Sequence, residues 1–256
     1  GRFPQRLGCF VCVCPCQKKH GLAQSIGPRS HPRPAAPRAV QPAPAEEFKE
    51  HFNDALELIA YCARVSNPAN QFNKDTGERL VRYLVKHKHW SPLEMCNATI
   101  GIDTTRDIAR QILRHRSFYF QEFSQRYADP NDLDVSFVLR EARLQDPKNR
   151  QNSIESDDLE LQKAWVMKQT QIIHEAKLAY QWAIMNGIAK EQARCVLPEG
   201  NTVSKVYMNG TLRSWVHYIE LRSGNGTQKE HIEVAREVAK AIAKIFPMVE
   251  EFVHDE

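Results

Sequence analysis

MCNATIGIDTTRDIARQILRHR, residues Met95 to Arg116, is the stretch from which the architecture can be read. Its first half alternates, with Ala98, Ile100 and Ile102 apolar and their neighbours polar or small, the period of a half-buried strand. Thr104 or Thr105 then offers a hydroxyl to cap a helix predicted to run to about Arg116. Working toward the N-terminus, Asp54–Val65 (Leu56, Ile59, Ala60, Ala63) and Gly77–Val85 have helical spacing. Toward the C-terminus, residues 117–133 read as a loop ending at Asp129-Pro130. Val135–Leu139 reads as a short strand and 144–157 as a polar surface excursion. A long helix is predicted from Asp158 to Met185, stopped by Asn186-Gly187. A shorter helix precedes Pro198, Thr202–Met208 reads as a strand, and helices are expected near 211–221 and 228–245. Strands and long helices mix without regular alternation, so the predicted class is α+β, a mixed sheet with long flanking helices.

Charge divides the chain at Glu46. Residues 46–256 carry 28 Lys and Arg against 31 acidic residues, whereas residues 1–45 carry seven basic residues and no acid. A weakly acidic body argues against general nucleic-acid binding, which depends on neutralising phosphates. No apolar run approaches the roughly 20 residues needed to span a bilayer. The leader, rich in Pro, Ala and Arg from Gly27 to Ala45, is expected to be disordered, because it cannot bury enough apolar surface to offset its ordering entropy. It reads either as a transit peptide or as an artefactual extension. The expected compartment is the cytoplasm, or a mitochondrion or plastid in the transit-peptide case. Cys9, Cys12, Cys14 and Cys16 are too crowded, and lack a second knuckle, for a zinc site to be expected. Cys62, Cys96 and Cys195 read as packed, reduced thiols. No metal is expected in residues 46–256, which read as one catalytic domain.

The densest chemical signal is RHRSFYFQEFSQRY, Arg114 to Tyr127, preceded by Arg106, Arg110 and Gln111. On one helix Arg106, Arg110 and Arg114 would share a face. Several guanidinium groups beside a hydroxyl suit a nucleotide phosphate, since Arg offers bidentate donors. Basic faces are commonly just solvated, but Phe118, Tyr119, Phe120 and Phe123 are interleaved here and could shape an apolar pocket. By spacing alone, Arg213 and Arg222 read equally well as surface residues, and His217 as a satisfied core histidine. Trp215, Tyr218 and Leu221 read as core packing.

Arg114-His115-Arg116, a seven-residue gap and then Ser124-Gln125-Arg126 resembles the signature of the flavin-dependent thymidylate synthases, the ThyX family. Five further segments resemble the family in the same order: ARVS (63–66), HWSPLE (89–94), EQARCVLP (191–198), GTLRSWVHYIELR (210–222) and GTQKEH (226–231), with TTRDIARQ leading into the signature. The resemblance implies an enzyme that makes dTMP from dUMP with FAD, NADPH and 5,10-methylenetetrahydrofolate, working as a homotetramer with shared active sites. It implies that dUMP is held by Gln111, Ile112, Leu113, Arg114, Glu122, Phe123, Ser124, Gln125 and Arg126, with Arg194 reaching in from a neighbouring subunit. Arg222 would lie against the uracil ring and favour ionisation at N3. FAD would contact Ser66, His89, Ser91, Glu94, Arg114, His115, Arg116, Glu122, Thr211, Leu212, Arg213 and His217. No body cysteine has an Arg-rich setting that would make it a nucleophile, so hydride chemistry through the flavin is the expected route. Tyr119 and Gln121 depart from the Ser and Asn common in the family, Thr211 stands where Asn is frequent, and the usual first strand is not evident. The rival readings are a nucleotide- or RNA-binding module, which would be colourless, and an inactive homologue.

Overall fold

The computed structural model describes residues 54–129, 136–224 and 226–254, together with the backbone of residues 8–10. The expected disorder of the leader and the fate of Cys12, Cys14 and Cys16 lie outside these residues. Gly8–Phe10, within that leader, forms strand β1 and pairs antiparallel with Thr99–Gly101. A strand therefore occupies the position where the sequence showed none.

The central sheet has the order β1-β2-β6-β3, where β2 is Asn97–Thr105, β3 Tyr119–Glu122 and β6 Val203–Thr211. Every pairing in it is antiparallel, so the sheet is not the mixed one predicted. Nine consecutive pairs join β2 to β6, from Asn97 opposite Thr211 to Thr105 opposite Val203. Each strand runs straight into a helix, β2 into α3 (Arg106–Ile112) and β6 into α6 (Leu212–Arg222). The two helices thus start at opposite ends of one ladder. Helix α7 (Lys229–Ala243) and helix α1 (Ala55–Ala63) complete the layer that covers the sheet.

Core residues come from α1, β2, β6, α6 and α7: Ile59, Ala98, Ile100, Ile102, Met208, Leu212, Trp215, Ile219, Val234, Val238 and Ile242. Each large aliphatic side chain so buried contributes about 1.5–3 kcal/mol. Trp215 donates its indole N–H to Ala98 O at 3.1 Å, so its burial strands no donor. Asp54 caps α1 by accepting from Glu57 N at 2.8 Å. Helix α2 (Gly77–Lys86) ends in a motif in which Lys88 N bonds Val85 O and His89 N bonds Leu84 O, with Lys88 at a φ of 58°.

Four local expectations are corrected. Helix α3 stops at Ile112 rather than near Arg116, because Arg114 N and His115 N turn back to Gln111 O and Ile112 O. The segment read as a loop from 117 to 133 contains β3, and from Phe118, just before it, to Glu122 the residues alternate between covered and exposed. Of the strand expected at 135–139, the described residues 136–139 form a single bridge, Phe137 with Thr202. Val138 N bonds Asn201 O and Ser136 O accepts from Val203 N, both at 2.9 Å, and side-chain amides take the rest: Gln169 brackets Arg140 N and O at 2.9 and 2.8 Å, and Asn201 Nδ2 donates to Val138 O at 2.9 Å. The surface excursion is a hairpin of β4 (Arg143–Gln145) and β5 (Ser153–Glu155).

The long helix α4 spans Leu159–Met185, capped by Asp158 through Glu160 N and Leu161 N, both at 3.0 Å. Gly187 ends it at a φ of 75°. One narrow stripe is buried (Gln169, Ile173, Ala176, Tyr180, Ala183), while Trp165, Met167, Ile172, Trp182 and Met185 are exposed. Helix α5 (Lys190–Ala193) follows. Among the described residues no helix is long and apolar enough to cross a membrane.

Candidate active site

The C-terminal end of α6 meets the turn after α3. Arg222 Nε donates to His115 Nε2 at 2.9 Å, joining groups 107 residues apart. Burial, reinforced by the nearby Arg222 cation, lowers the His115 pKa to about 4, so the ring is neutral and its Nε2 can accept. The Tyr218 and His115 rings meet nearly perpendicular, with centroids 4.9 Å apart. Arg114 and Arg116 are exposed on either side and have no ion pair among the described residues.

Beside this turn lies a line of polar groups, buried at Tyr218 and His231 and half-buried beyond them. Tyr218 OH lies 3.1 Å from His231 Nε2, and His231 Nδ1 lies 3.2 Å from Gln111 Oε1. Gln111 Nε2 donates to Gln228 Oε1 at 2.9 Å, and Gln228 Nε2 to Glu230 Oε2 at 2.9 Å. Glu230 in turn accepts from Arg143 of the hairpin at 2.6 and 2.9 Å, a charge-assisted contact. His231 is 0% exposed, and burial, then Arg222 and His115, lowers its pKa to about 3. Tyr218, fully buried, has its phenol pushed up by desolvation.

A second group gathers at the start of α3. Glu122, at the end of β3, accepts from Ser204 Oγ at 2.9 Å and lies 3.5 Å from Arg106. Burial lowers the pKa of Arg106, opposed by Glu122 and aided by Arg110 and Arg194. Arg126 bridges to Glu191 at 3.2 Å, and Arg194 Nε donates to Glu191 O at 3.3 Å. Arg110 pairs with Glu199. Gln125 is buried, and among the described residues its Nε2 has no hydrogen-bond partner. Ser124 is half-buried, its carbonyl accepting from Tyr127 N and Ala128 N at 3.1 Å.

A third group surrounds the start of α6. Arg213 pairs with Glu94, and the His217 ring lies 4.8 Å from Trp90 and 3.9 Å from Glu220. His217 is exposed and is not the core histidine that its setting allowed; His231 is. His89 and Ser91 lie exposed just after the Lys88 turn, and Ser66 is exposed after α1. Thr211 spends its hydroxyl on capping α6, accepting from Ser214 N at 3.2 Å.

The structure thus brings Gln111, His115 and Arg222 together, and separately Glu122, Ser124, Gln125, Arg126 and Arg194. Arg194 sits with Arg126 of its own chain. Arg106, Arg110 and Arg114 do not act as one row: the first two are paired with carboxylates and the helix ends before the third. Ile112 and Leu212 have fully buried side chains, leaving only backbone to a ligand, and Leu212 N already donates to Cys96 O. Phe123 N is likewise taken by Lys205 O. Among the described residues, no group of three or more His, Cys, Asp or Glu could hold a metal.

Residues 47–248 match the family model described as thymidylate synthase complementing protein. A probable flavin-dependent thymidylate synthase of Paramecium bursaria Chlorella virus 1 is 48% identical over 200 residues, 78% of this chain and 91% of the relative. A flavin-dependent thymidylate synthase of Synechocystis is 47% identical over 192 residues, 75% and 86% of the two chains. The chain belongs to the flavin-dependent thymidylate synthase family. The fold agrees: a UMP/dUMP methylase, PolB from Streptomyces cacaoi, bound with 5-Br dUMP, superposes with a TM-score of 0.67 at 28% identity, covering 77% of this chain and 89% of that one.

For a flavin-dependent thymidylate synthase family member, sequence reading passed over the buried partners of Gln111. By spacing Tyr218 reads as core packing, and neither spacing nor motif gives His231, Gln228, Glu230 or Arg143 a role. A signal existed in GTQKEH, where His231 stands beside apolar Ile232 and Val234 on a helical face. The departures at Tyr119 and Gln121 fall on the exposed face of β3, away from the core.

Proposed function

We propose that this chain is a flavin-dependent thymidylate synthase, converting dUMP to dTMP by reductive methylation with 5,10-methylenetetrahydrofolate and NADPH through FAD. The observation that carries the reading is the contact between Arg222 and His115, which places a half-buried guanidinium against the Arg114–Arg116 turn. The side chains present fit phosphate-bearing ligands. Gln125 Nε2 is a buried donor without a partner, and Arg114 and Arg116 are cations without ion pairs among the described residues.

When bound, reduced FAD supplies the hydride, and the folate supplies the one-carbon unit. Ser124, Gln125, Arg126 and Arg194 hold the dUMP phosphate, and Gln111, Arg114 and Glu122 orient the nucleotide. Because His115 accepts the Nε hydrogen, both terminal amino groups of Arg222 remain for the pyrimidine. A fixed cation there stabilises negative charge developing on the ring and favours loss of the N3 proton. Arg114, His115, Arg116, Ser91, Glu94, Thr211, Arg213 and His217, with Ser66 and His89 at the margin, would hold FAD.

No cysteine nucleophile enters this route. The Cys96 thiol is pushed up to about 12 by burial and Cys62 is raised for the same reason, so both remain protonated. Cys195, exposed beside Arg194, is assigned no role.

The assembly in this reading is a homotetramer. Arg126 and Arg194 of one subunit complete a site whose Gln111, Arg114 and Arg222 belong to another. The exposed Trp165, Met167, Ile172, Trp182 and Met185 of α4 supply apolar contact area of the kind such subunits bury.

The test is NADPH oxidation by the purified protein with FAD, with and without dUMP, followed by assay for dTMP. Oxidation that rises with dUMP and yields dTMP is expected. A folded, flavin-supplied protein that oxidises no NADPH in either condition would overturn the reading in favour of a binding module or an inactive homologue.

A further inference from the structure

The mechanism above uses Gln111 and Arg222 but leaves unassigned the buried groups behind Gln111. We propose that His231 is a positioning residue, which locks the Gln111 side-chain amide in one orientation and so sets the affinity for the pyrimidine nucleotide. The proposal rests on the thymidylate synthase reading of the site.

The direction of every bond in the line follows from its charged end. Glu230 is an acceptor held by Arg143, so Gln228 must present Nε2 to it and turn Oε1 toward Gln111. Gln111 must then present Nε2 to Gln228, at 2.9 Å, leaving Oε1 for His231. An amide oxygen only accepts, so His231 carries its proton on Nδ1, and Tyr218 donates its hydroxyl hydrogen to Nε2 at 3.1 Å. With the His231 proton on Nδ1, flipping the Gln111 amide would set N–H against N–H at the fully buried His231 and oxygen against oxygen at Gln228. Burial and Arg222 keep His231 neutral, which preserves Nε2 as the acceptor for Tyr218. What remains free on half-buried Gln111 is one N–H and one lone pair, each at a fixed place. Without His231 only the Gln228 bond holds the amide, so it loses the second of its two anchors and the ligand meets the matching order less of the time.

Two substitutions separate the two bonds of the ring. Asn at position 231 carries an amide N–H near the place of Nδ1 and can still donate to Gln111. Gln reaches the place of Nε2 and can satisfy only Tyr218. We expect His231→Gln to raise the dUMP Kd and KM about tenfold, with FAD content unchanged, and His231→Asn to stay within about threefold of the unsubstituted protein. A His231→Gln protein that binds dUMP normally, or a His231→Asn protein as weak as His231→Gln, overturns the proposal. Should His231→Gln fail to fold, imidazole 15N shifts of the unsubstituted protein decide: the neutral Nδ1–H form supports the lock and the Nε2–H form overturns it. If the unsubstituted protein neither binds dUMP nor oxidises NADPH in response to it, the thymidylate synthase reading has failed and the lock falls with it.

Discussion

Arg222 Nε donates to His115 Nε2 across 2.9 Å, and the acceptor is an imidazole held neutral by burial and by that same guanidinium. The pair therefore fixes a cation without adding a second one. Arg222→Ala is expected to fold and to bind flavin, since Arg222 is half-buried at the last position of α6, outside the apolar core. Turnover should fall by about 10²–10³, the usual loss when one preorganised donor is removed from a developing charge. Steady-state kcat with flavin absorbance as the folding and loading control is the measurement; near-normal turnover would remove Arg222 from this role.

His115 and His231 make stability acid-sensitive. Their folded pKa values, about 4 and about 3, lie below the roughly 6.5 of an unfolded histidine. Between those limits the unfolded chain binds more protons than the folded one. The stabilisation they confer is complete above about pH 7 and is lost as the pH falls through 6.5 toward 4. Urea midpoints at pH 7.5 and pH 5 should show this loss, and His231→Asn should reduce it. Midpoints independent of pH in that window would contradict the burial of both rings.

Gly210 is where the sheet touches the signature turn. A Cβ there would lie 2.4 Å from the Phe118 ring, which is wedged against Trp215 at 4.7 Å. Gly210→Ala is therefore predicted to cost about 1–3 kcal/mol and to shift the turn carrying Arg114–Arg116. A lowered Tm together with a raised KM for dUMP is the expected pair of results; an unchanged Tm would mean that Phe118 can move away freely.

Lys88 pays a backbone cost at the end of α2, with a φ of 58° in a position that favours glycine. Lys88→Gly should stabilise the protein by about 0.5–1 kcal/mol, the left-handed penalty less glycine's added chain entropy. Thermal unfolding checks it, and a fall in Tm would show that the Lys88 side chain does more than complete the turn.

Legibility followed periodicity. The β2 strand, the α4 and α7 helices and the Arg-rich signature could be read because each repeats a pattern or a motif along the chain. The failures share a cause. Strand β3 announces itself only through the alternation of Phe118, Phe120 and Glu122, which the aromatic crowding around Tyr119 conceals. The 136–140 segment looks like a strand, but it shares its backbone bonds with 201–203 only at Ser136 and Val138, and Arg140 and Val138 O turn to the Gln169 and Asn201 amides, which no local pattern discloses. In the candidate site, Arg222 was nameable from its motif, whereas its contact with His115 and the line from Tyr218 to Arg143 arise only when α3, α6, α7 and the hairpin are packed together. Sequence spacing likewise could not say that Arg194 would keep company with Arg126 rather than with Gln111.

The nine-pair ladder of β2 and β6 works as a ruler about 27–30 Å long, with α3 leaving one end and α6 the other. The gap that Arg222 and His115 close is the difference between that length and the helices folded back along it. One residue inserted into either strand would shift a helix by about 3.4 Å and turn the strand's buried side outward. Insertions and deletions in genetic variants of this chain should accordingly be tolerated in the 146–152 hairpin tip and all but absent from 97–105 and 203–211.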